Sequence, residues 1–95
     1  MNNYELTVVL SGETGTAKVK SFTTKLEKDI TSLRGKVKEK KEWGKIDLSF
    51  PIKKQKSGVF LHFILEIDPK GTKALNDRFK LDSDIIRYLL IRAGE

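Results

Sequence analysis

The sequence predicts an α+β domain in which two helices cover one face of a four-stranded antiparallel sheet. Four segments have apolar residues at every second position, which is typical of strands. Two other segments have apolar residues at every third or fourth position, which is typical of helices. Their order is β-α-β-β-α-β, without a repeat or a linker. A chain of 95 residues is expected to form a single domain, residues 1–95, around one core.

A strand, a turn and a helix are predicted in the first third of the chain. The strand spans residues 4–10, and every second residue from Tyr4 to Leu10 is apolar and shares one face. The helix carries a stripe of apolar residues at steps of three and four: Val19, Phe22, Leu26, Ile30 and Leu33. Thr16 is predicted to cap the start of this helix, and Gly35 is predicted to end it.

The second and third strands are predicted over residues 36–50 and 59–67, joined by a loop over residues 53–58. The second strand begins almost entirely charged, which is typical of an edge strand that avoids pairing with another molecule. Gly44 predicts a bulge or a bend within it. One face of the third strand is wholly apolar and is expected in the core, and the opposite, mixed face is expected to be covered.

A second helix and a last strand complete the pattern. Pro69 suits the first position of a short helix that Ala74, Leu75 and Phe79 anchor. A turn at residues 82–84 leads into the alternating segment that forms the final strand.

These six elements form two split βαβ units. Short right-handed connections fold such units into the ferredoxin-like arrangement, with both helices on one face of the sheet. The first and third strands are then central, and the second and fourth lie at the edges. The charge-rich second strand is therefore expected at an edge.

Positive charge is concentrated in residues 34–56. This segment holds nine of the 19 Lys and Arg residues but only three of the 13 acids, and its net charge of +6 equals that of the whole chain. A local field of this strength points to a polyanionic partner such as nucleic acid.

Other residue types exclude most catalytic sites. There is no Cys, and His62 is the single histidine, so neither a thiol nucleophile nor a His cluster for a metal can form. Gly12 and Gly15 do not make a phosphate-binding loop. Residues 11–16 lack the arginine that an acylphosphatase-like enzyme needs after its first strand. No enzymatic activity, cofactor, small-molecule substrate or membrane span is expected, and the predicted location is the cytoplasm.

Residues 44–53, with the sequence GKIDLSFPIK, resemble the signature of the sixth protein of the bacterial small ribosomal subunit. That signature runs from a Gly through a basic residue, a Leu, a Ser or Ala and a Tyr to an Ile and a basic residue. Ile46 and Phe50 replace its basic residue and its Tyr, and Asn2 and Asn3 replace a basic pair common in the family. The segments around Tyr4, Gly58 and Arg87 also resemble the family.

The resemblance implies a ribosome-associated protein without catalytic activity. Members of this family bind the central domain of the small-subunit (16S) ribosomal RNA as a heterodimer with the eighteenth protein of that subunit. The resemblance implies the same RNA and the same protein partner for this chain.

Six residues are predicted to contact RNA: Tyr4, Lys45, Lys53, Lys54, Lys56 and Arg87. Three of the lysines lie in the predicted loop, where Gly58 is expected to let the backbone turn sharply. Residues 34–41 are expected mainly to guard the strand edge. The alternation places Arg87 and Arg92 on opposite faces of the last strand, and Arg87 matches the family pattern.

A protein interface is predicted on the sheet face that the helices leave free. Its candidate residues are Trp43, Phe60, His62 and Ile64. Apolar residues beside an aromatic one suit a protein partner better than stacked bases. The alternative function is a ferredoxin-like regulatory module that binds a small molecule as a homodimer.

Overall fold

The computed structural model describes residues 2–52 and 55–93 of the chain. Six elements follow one another in the predicted order: β1 (Asn2–Ser11), α1 (Thr16–Ser32), β2 (Lys36–Ile52), β3 (Gln55–Ile67), α2 (Pro69–Leu81) and β4 (Ile85–Arg92). Across the described residues, neither helix is long and apolar enough to cross a membrane.

The four strands form one antiparallel sheet in the order β2-β3-β1-β4. This order confirms the prediction that β1 and β3 are central and that the charge-rich β2 lies at an edge. Both helices pack on one face of the sheet. We call the other face, which carries Phe60, His62 and Ile64 of β3, the open face.

The core lies between the sheet and the two helices. It is built from inward-facing strand residues and the apolar stripes of the helices, among them Leu6, Val8, Leu10, Leu26, Ile30, Leu61, Phe63, Leu65, Ile67, Leu75 and Phe79. All these side chains are buried, as the alternation in the strands and the spacing in the helices predict. The predicted fold class is confirmed.

Helix α1 begins and ends differently from the prediction. Its N-cap is Gly15 rather than Thr16, and no side chain caps the first turn. Its last helical residue is Ser32. Beyond it, Arg34 and not Gly35 takes the left-handed backbone conformation, with φ of 64°.

Two hydrogen bonds after the helix explain this ending. The N–H of Arg34 donates to the carbonyl of Thr31 at 3.0 Å. The N–H of Gly35 donates to the carbonyl of Ile30 at 2.9 Å. This is the Schellman pattern, in which the left-handed position favours glycine. Gly35 is required for space instead, because a Cβ there would lie 2.7 Å from the carbonyl oxygen of Glu66.

Replacing Arg34 with Gly is therefore expected to stabilise the protein by about 0.5–1 kcal/mol. Gly relieves left-handed strain of about 1–2 kcal/mol, and its larger backbone entropy in the unfolded chain offsets part of that gain. Urea denaturation measures the difference. Arg34→Ala removes the same charge but keeps the Cβ, so it serves as the control and should not stabilise. Equal stabilities for the two variants would contradict the argument.

Strand β2 contains the predicted bulge. Its pairing with β3 shifts register between Glu42 and Gly44, and Gly44 has φ of 81°. Two further shifts follow Val37 and Asp47. Bulges and charges together make this edge a poor template for pairing with another chain.

The hairpin between β2 and β3 is tighter than predicted. The two strands still pair at Ile52 and Gln55, so residues 55–58 belong to β3 and not to a loop. Lys56 is consequently an exposed strand residue. Lys53 and Lys54 lie outside the described residues.

Gly58 does not turn the backbone sharply, in contrast to the prediction. It pairs with Ser11 on β1 and Ile46 on β2 inside the sheet. A Cβ at Gly58 would lie 2.4 Å from Cγ1 of Val9. A glycine is therefore needed at this position because the side chain of Val9 leaves no room for a Cβ.

A bulge with one extra residue at the start of β4 shifts the alternation of side chains between the core and the open face. Leu10 pairs with Ile85, whereas the adjacent Val9 pairs with Arg87. Ile86 is the additional residue. As a result Ile85 joins the core, and Arg87 lies on the open face with Val9.

Candidate nucleic-acid and protein interfaces

Cross-strand pairing brings the predicted interface residues of β3 into three adjacent rows on the open face. Phe60 pairs with Gly44 on one side and Val9 on the other. His62 pairs with Lys41 and Thr7. Ile64 pairs with Glu39 and Glu5. All three side chains are half-buried. They form one continuous surface along β3.

Trp43 joins the same surface through the bulge in β2. Its ring stacks on the imidazole of His62, with centroids 5.2 Å apart and planes 7° from parallel. Nδ1 of His62 lies 3.1 Å from the hydroxyl of Thr7, which fixes the ring in its plane. Trp43 remains 51% exposed. The four predicted interface residues therefore lie together, with an aromatic pair at their centre.

Two further apolar residues of this surface were not predicted from the sequence. Leu89 and Ile91 on β4 are 57% and 44% exposed and pair with Thr7 and Glu5 of β1. The alternation in β4 already placed them on the side of Arg87, which was the available signal. With them, apolar residues of the open face lie on both β3 and β4, on either side of Thr7 and Glu5 of β1, and exposed apolar residues are common at protein interfaces.

Several lysines in the first half (residues 34–41) of the basic segment, residues 34–56, are neutralised within the protein. Lys40 contacts Glu27 of α1 at 2.9 Å. The other two ion pairs of this half join Lys41 to Glu39 at 3.4 Å and Lys38 to Glu66 at 3.9 Å. These contacts are exposed and contribute little stability, but they lower the charge that this half offers to a polyanion.

In the second half of the basic segment, residues 44–56, the described lysines are not paired with acids. Lys45 and Lys56 are exposed, and neither forms an ion pair with any described residue. Lys45 pairs with Val59, so it lies on the helix side of the hairpin, whereas alternation places Lys56 on the open side. The free positive charge of this half is therefore distributed over both sides of the β2–β3 hairpin.

The structure separates the remaining two RNA candidates from the hairpin. Arg87 is exposed on the open face, in the row of Val9 and Phe60. Two strand spacings, about 10 Å, separate it from β3. Tyr4 is only 9% exposed and belongs to the core, so packing accounts for it and we leave it out of the contact surface.

A metal site is not found in the described parts of the chain, where no three His, Cys, Asp or Glu residues are grouped suitably. The same parts show no buried side-chain polar atom without a hydrogen-bond partner. The open face presents exposed apolar residues, and the hairpin presents exposed lysines.

Comparison with known proteins identifies the family. The family model described as Ribosomal protein S6 matches residues 3–92. The chain is 32% identical over 92 residues to the small ribosomal subunit protein bS6 of Pelagibacter ubique, covering 97% of this chain and 76% of that protein. It is 28% identical to the protein of the same name from Desulforamulus reducens, over the whole of both chains.

A solved structure agrees with the fold. The crystal structure of 30S ribosomal protein S6 from Thermotoga maritima superposes with a TM-score of 0.91, over 97% of this chain and 87% of that one. Its sequence identity of 18% supports the fold alone. Because the family model matches almost the entire chain and a relative at 32% identity does as well, this protein belongs to the ribosomal protein S6 family.

Proposed function

We propose that the protein is a structural constituent of the small ribosomal subunit that binds 16S ribosomal RNA together with the eighteenth small-subunit protein. The observation that carries this proposal is the separation of two surfaces in a chain of this family. Unpaired lysines lie at the β2–β3 hairpin, and exposed apolar residues lie on the open face. Two partners of different chemistry can therefore bind at once.

Ribosomal RNA suits the hairpin because phosphate contacts need exposed, unpaired cations rather than a shaped pocket. Lys45 and Lys56 meet that requirement. Lys53 and Lys54 lie between them in the sequence and raise the local positive charge. Arg87 is exposed on the open face away from the hairpin, so in this proposal it makes a separate phosphate contact.

A small basic protein suits the open face. His62, on which Trp43 stacks, lies between Phe60 and Ile64 along β3, and aromatic residues such as Trp43 are frequent at the energetic centre of protein interfaces. Glu5 pairs with Ile64 in the same row and forms no ion pair with a described residue. A basic partner would supply the missing countercharge, and no catalysis is involved.

Replacing Trp43 with Ala is expected to weaken binding of the eighteenth small-subunit protein by about 10-fold or more, because truncation of a central aromatic residue at an interface often has an effect of about 2 kcal/mol. Calorimetric titration of the two purified proteins measures it. Leu81→Ala is the matched control, since Leu81 is 86% exposed but lies at the end of α2, away from the open face. Its affinity should stay at the wild-type value.

A pull-down from lysate, with and without nuclease, tests the whole proposal. We expect 16S RNA and the eighteenth small-subunit protein to be recovered, with the RNA lost after nuclease. Recovery of neither would refute the proposal. A symmetric homodimer stabilised by a metabolite would instead support the regulatory module.

A further inference from the structure

Helix α1 carries a second positively charged surface, separate from the hairpin. Lys20, Lys25 and Lys28 are exposed and line a shallow groove together with Ser21 and Thr24. At 100° per residue the three lysines fall within an arc of about 140°. The middle of that arc points roughly opposite the buried side of the helix. We call these three residues the α1 lysine stripe.

The acids of α1 do not neutralise the stripe. The helix has two acids, and each is engaged on a flank by another element. Glu27 contacts Lys40 of β2 at 2.9 Å, and Asp29 contacts Arg78 of α2 at 2.9 Å. The stripe lysines form no ion pair with any described residue. Three positive charges therefore face solvent without opposition.

From this arrangement we infer that the α1 lysine stripe is a second RNA-binding surface, which contacts the phosphate backbone of a segment other than the one at the hairpin. This inference rests on the proposed function of the protein. The stripe extends about 12 Å along the helix axis, over which a nucleic-acid duplex presents several phosphates. Hydroxyls of Ser21 and Thr24 add phosphate hydrogen-bond donors between the lysines.

The position of the stripe makes simultaneous binding possible. Helix α1 lies on the side of the sheet opposite the open face, so RNA on the stripe would not compete with a protein partner beside Trp43. The protein would then hold two RNA segments together, one at the hairpin and one at α1.

An anionic membrane fits the stripe less well than RNA. Helices that bind membrane surfaces insert apolar residues beside their lysines. The apolar residues of α1, such as Val19, Leu26 and Ile30, are buried in the core. Only Lys, Ser and Thr side chains line the groove of the stripe.

Salt titration of binding to a 16S RNA transcript tests the inference. Replacing Lys20, Lys25 and Lys28 with Gln is expected to reduce the slope of log affinity against log salt concentration by about 2 to 3. Each lost phosphate contact lowers this slope by about 0.9. The control replaces Lys70, Lys73 and Lys80 of α2 with Gln. These lysines are also exposed, but Asp77 lies among them on the same helix. The two variants have equal net charge, and the control should lower the slope by less than about 1.

Three outcomes would overturn the inference. The first is an unchanged slope in the stripe variant. The second is an equal loss in both variants, which would mean that only net charge matters. The third is stripe-dependent sedimentation with vesicles of phosphatidylserine and phosphatidylcholine while the RNA slope stays unchanged. Thermal unfolding of each variant checks that the fold is retained.

A variant with Lys53, Lys54 and Lys56 replaced by Gln separates this inference from the proposed function. If that variant loses RNA affinity and the stripe variant does not, only the inference fails. If wild-type protein does not bind the 16S transcript at all, the proposed function fails and the inference fails with it.

Discussion

Replacing Lys53, Lys54 and Lys56 together with Gln is expected to weaken binding to 16S RNA by roughly 100-fold or more at about 0.1 M salt, without unfolding the protein. Neutralising three phosphates contributes about 3 to the slope of log affinity against log salt concentration. Losing this contribution lowers the affinity at about 0.1 M salt by roughly this factor. Lys56 is exposed on β3 and has no ion-pair partner among the described residues, so its removal breaks no such contact in the fold. Filter binding across a salt series measures both affinity and slope.

The matched control for this experiment lies in the same basic segment. Lys38, Lys40 and Lys41 can be replaced with Gln for an identical change in net charge. Each of them already contacts a carboxylate. We expect a clearly smaller loss of affinity from this variant. If the two triple variants lose the same affinity, net charge and not the position of the lysines determines binding.

Replacing Gly35 with Ala is expected to destabilise the protein by about 2–3 kcal/mol. The added Cβ would lie 2.7 Å from the carbonyl oxygen of Glu66 and 2.9 Å from Cγ1 of Ile67. Ile67 is completely buried, and the Glu66 oxygen belongs to the backbone of β3, so neither can move away easily. Overpacking against such neighbours typically has an effect of this size. Thermal unfolding should show a midpoint lowered by about 10–20 °C.

Gly15→Ser is the control for the Gly35 substitution. Gly15 is the N-cap of α1, has an extended backbone, and a Cβ there meets nothing within 4 Å. A Ser hydroxyl at this position can accept from the free N–H groups of the first turn, so a gain of about 0.5 kcal/mol is expected. A loss at Gly35 no larger than the change at Gly15 would disprove the steric argument.

The order of the strands and helices follows from local patterns. Every second residue of β1 and β3 is apolar because one face of each strand is buried, and this regularity is visible without knowledge of the partner strands. The charged start of β2 predicted an edge position because an interior strand cannot bury so many charges. Gly44 marked the bulge because a glycine inside a strand pattern is itself a local signal of a bulge. These features depend on residues close together in the chain.

The ends of elements were less predictable. Thr16 is a good capping residue, yet Gly15 occupies the cap, and Arg34 takes the left-handed position although Gly35 is next to it. Packing of Gly35 against Glu66 decides the second case. Tyr4 fits a surface contact by family resemblance, but the register of β1 against its neighbours buries it.

The sequence alone determined the fold class, the topology, the family and the basic character of residues 34–56, because these depend on periodicity, composition and a short motif. Only the tertiary structure decided which charges are free. Outside residues 34–56 the chain is neutral, but the two helices carry eight basic and three acidic residues. Long-range ion pairs neutralise Lys40 and leave the α1 lysine stripe exposed, because pairing depends on distances between elements that are far apart in the chain.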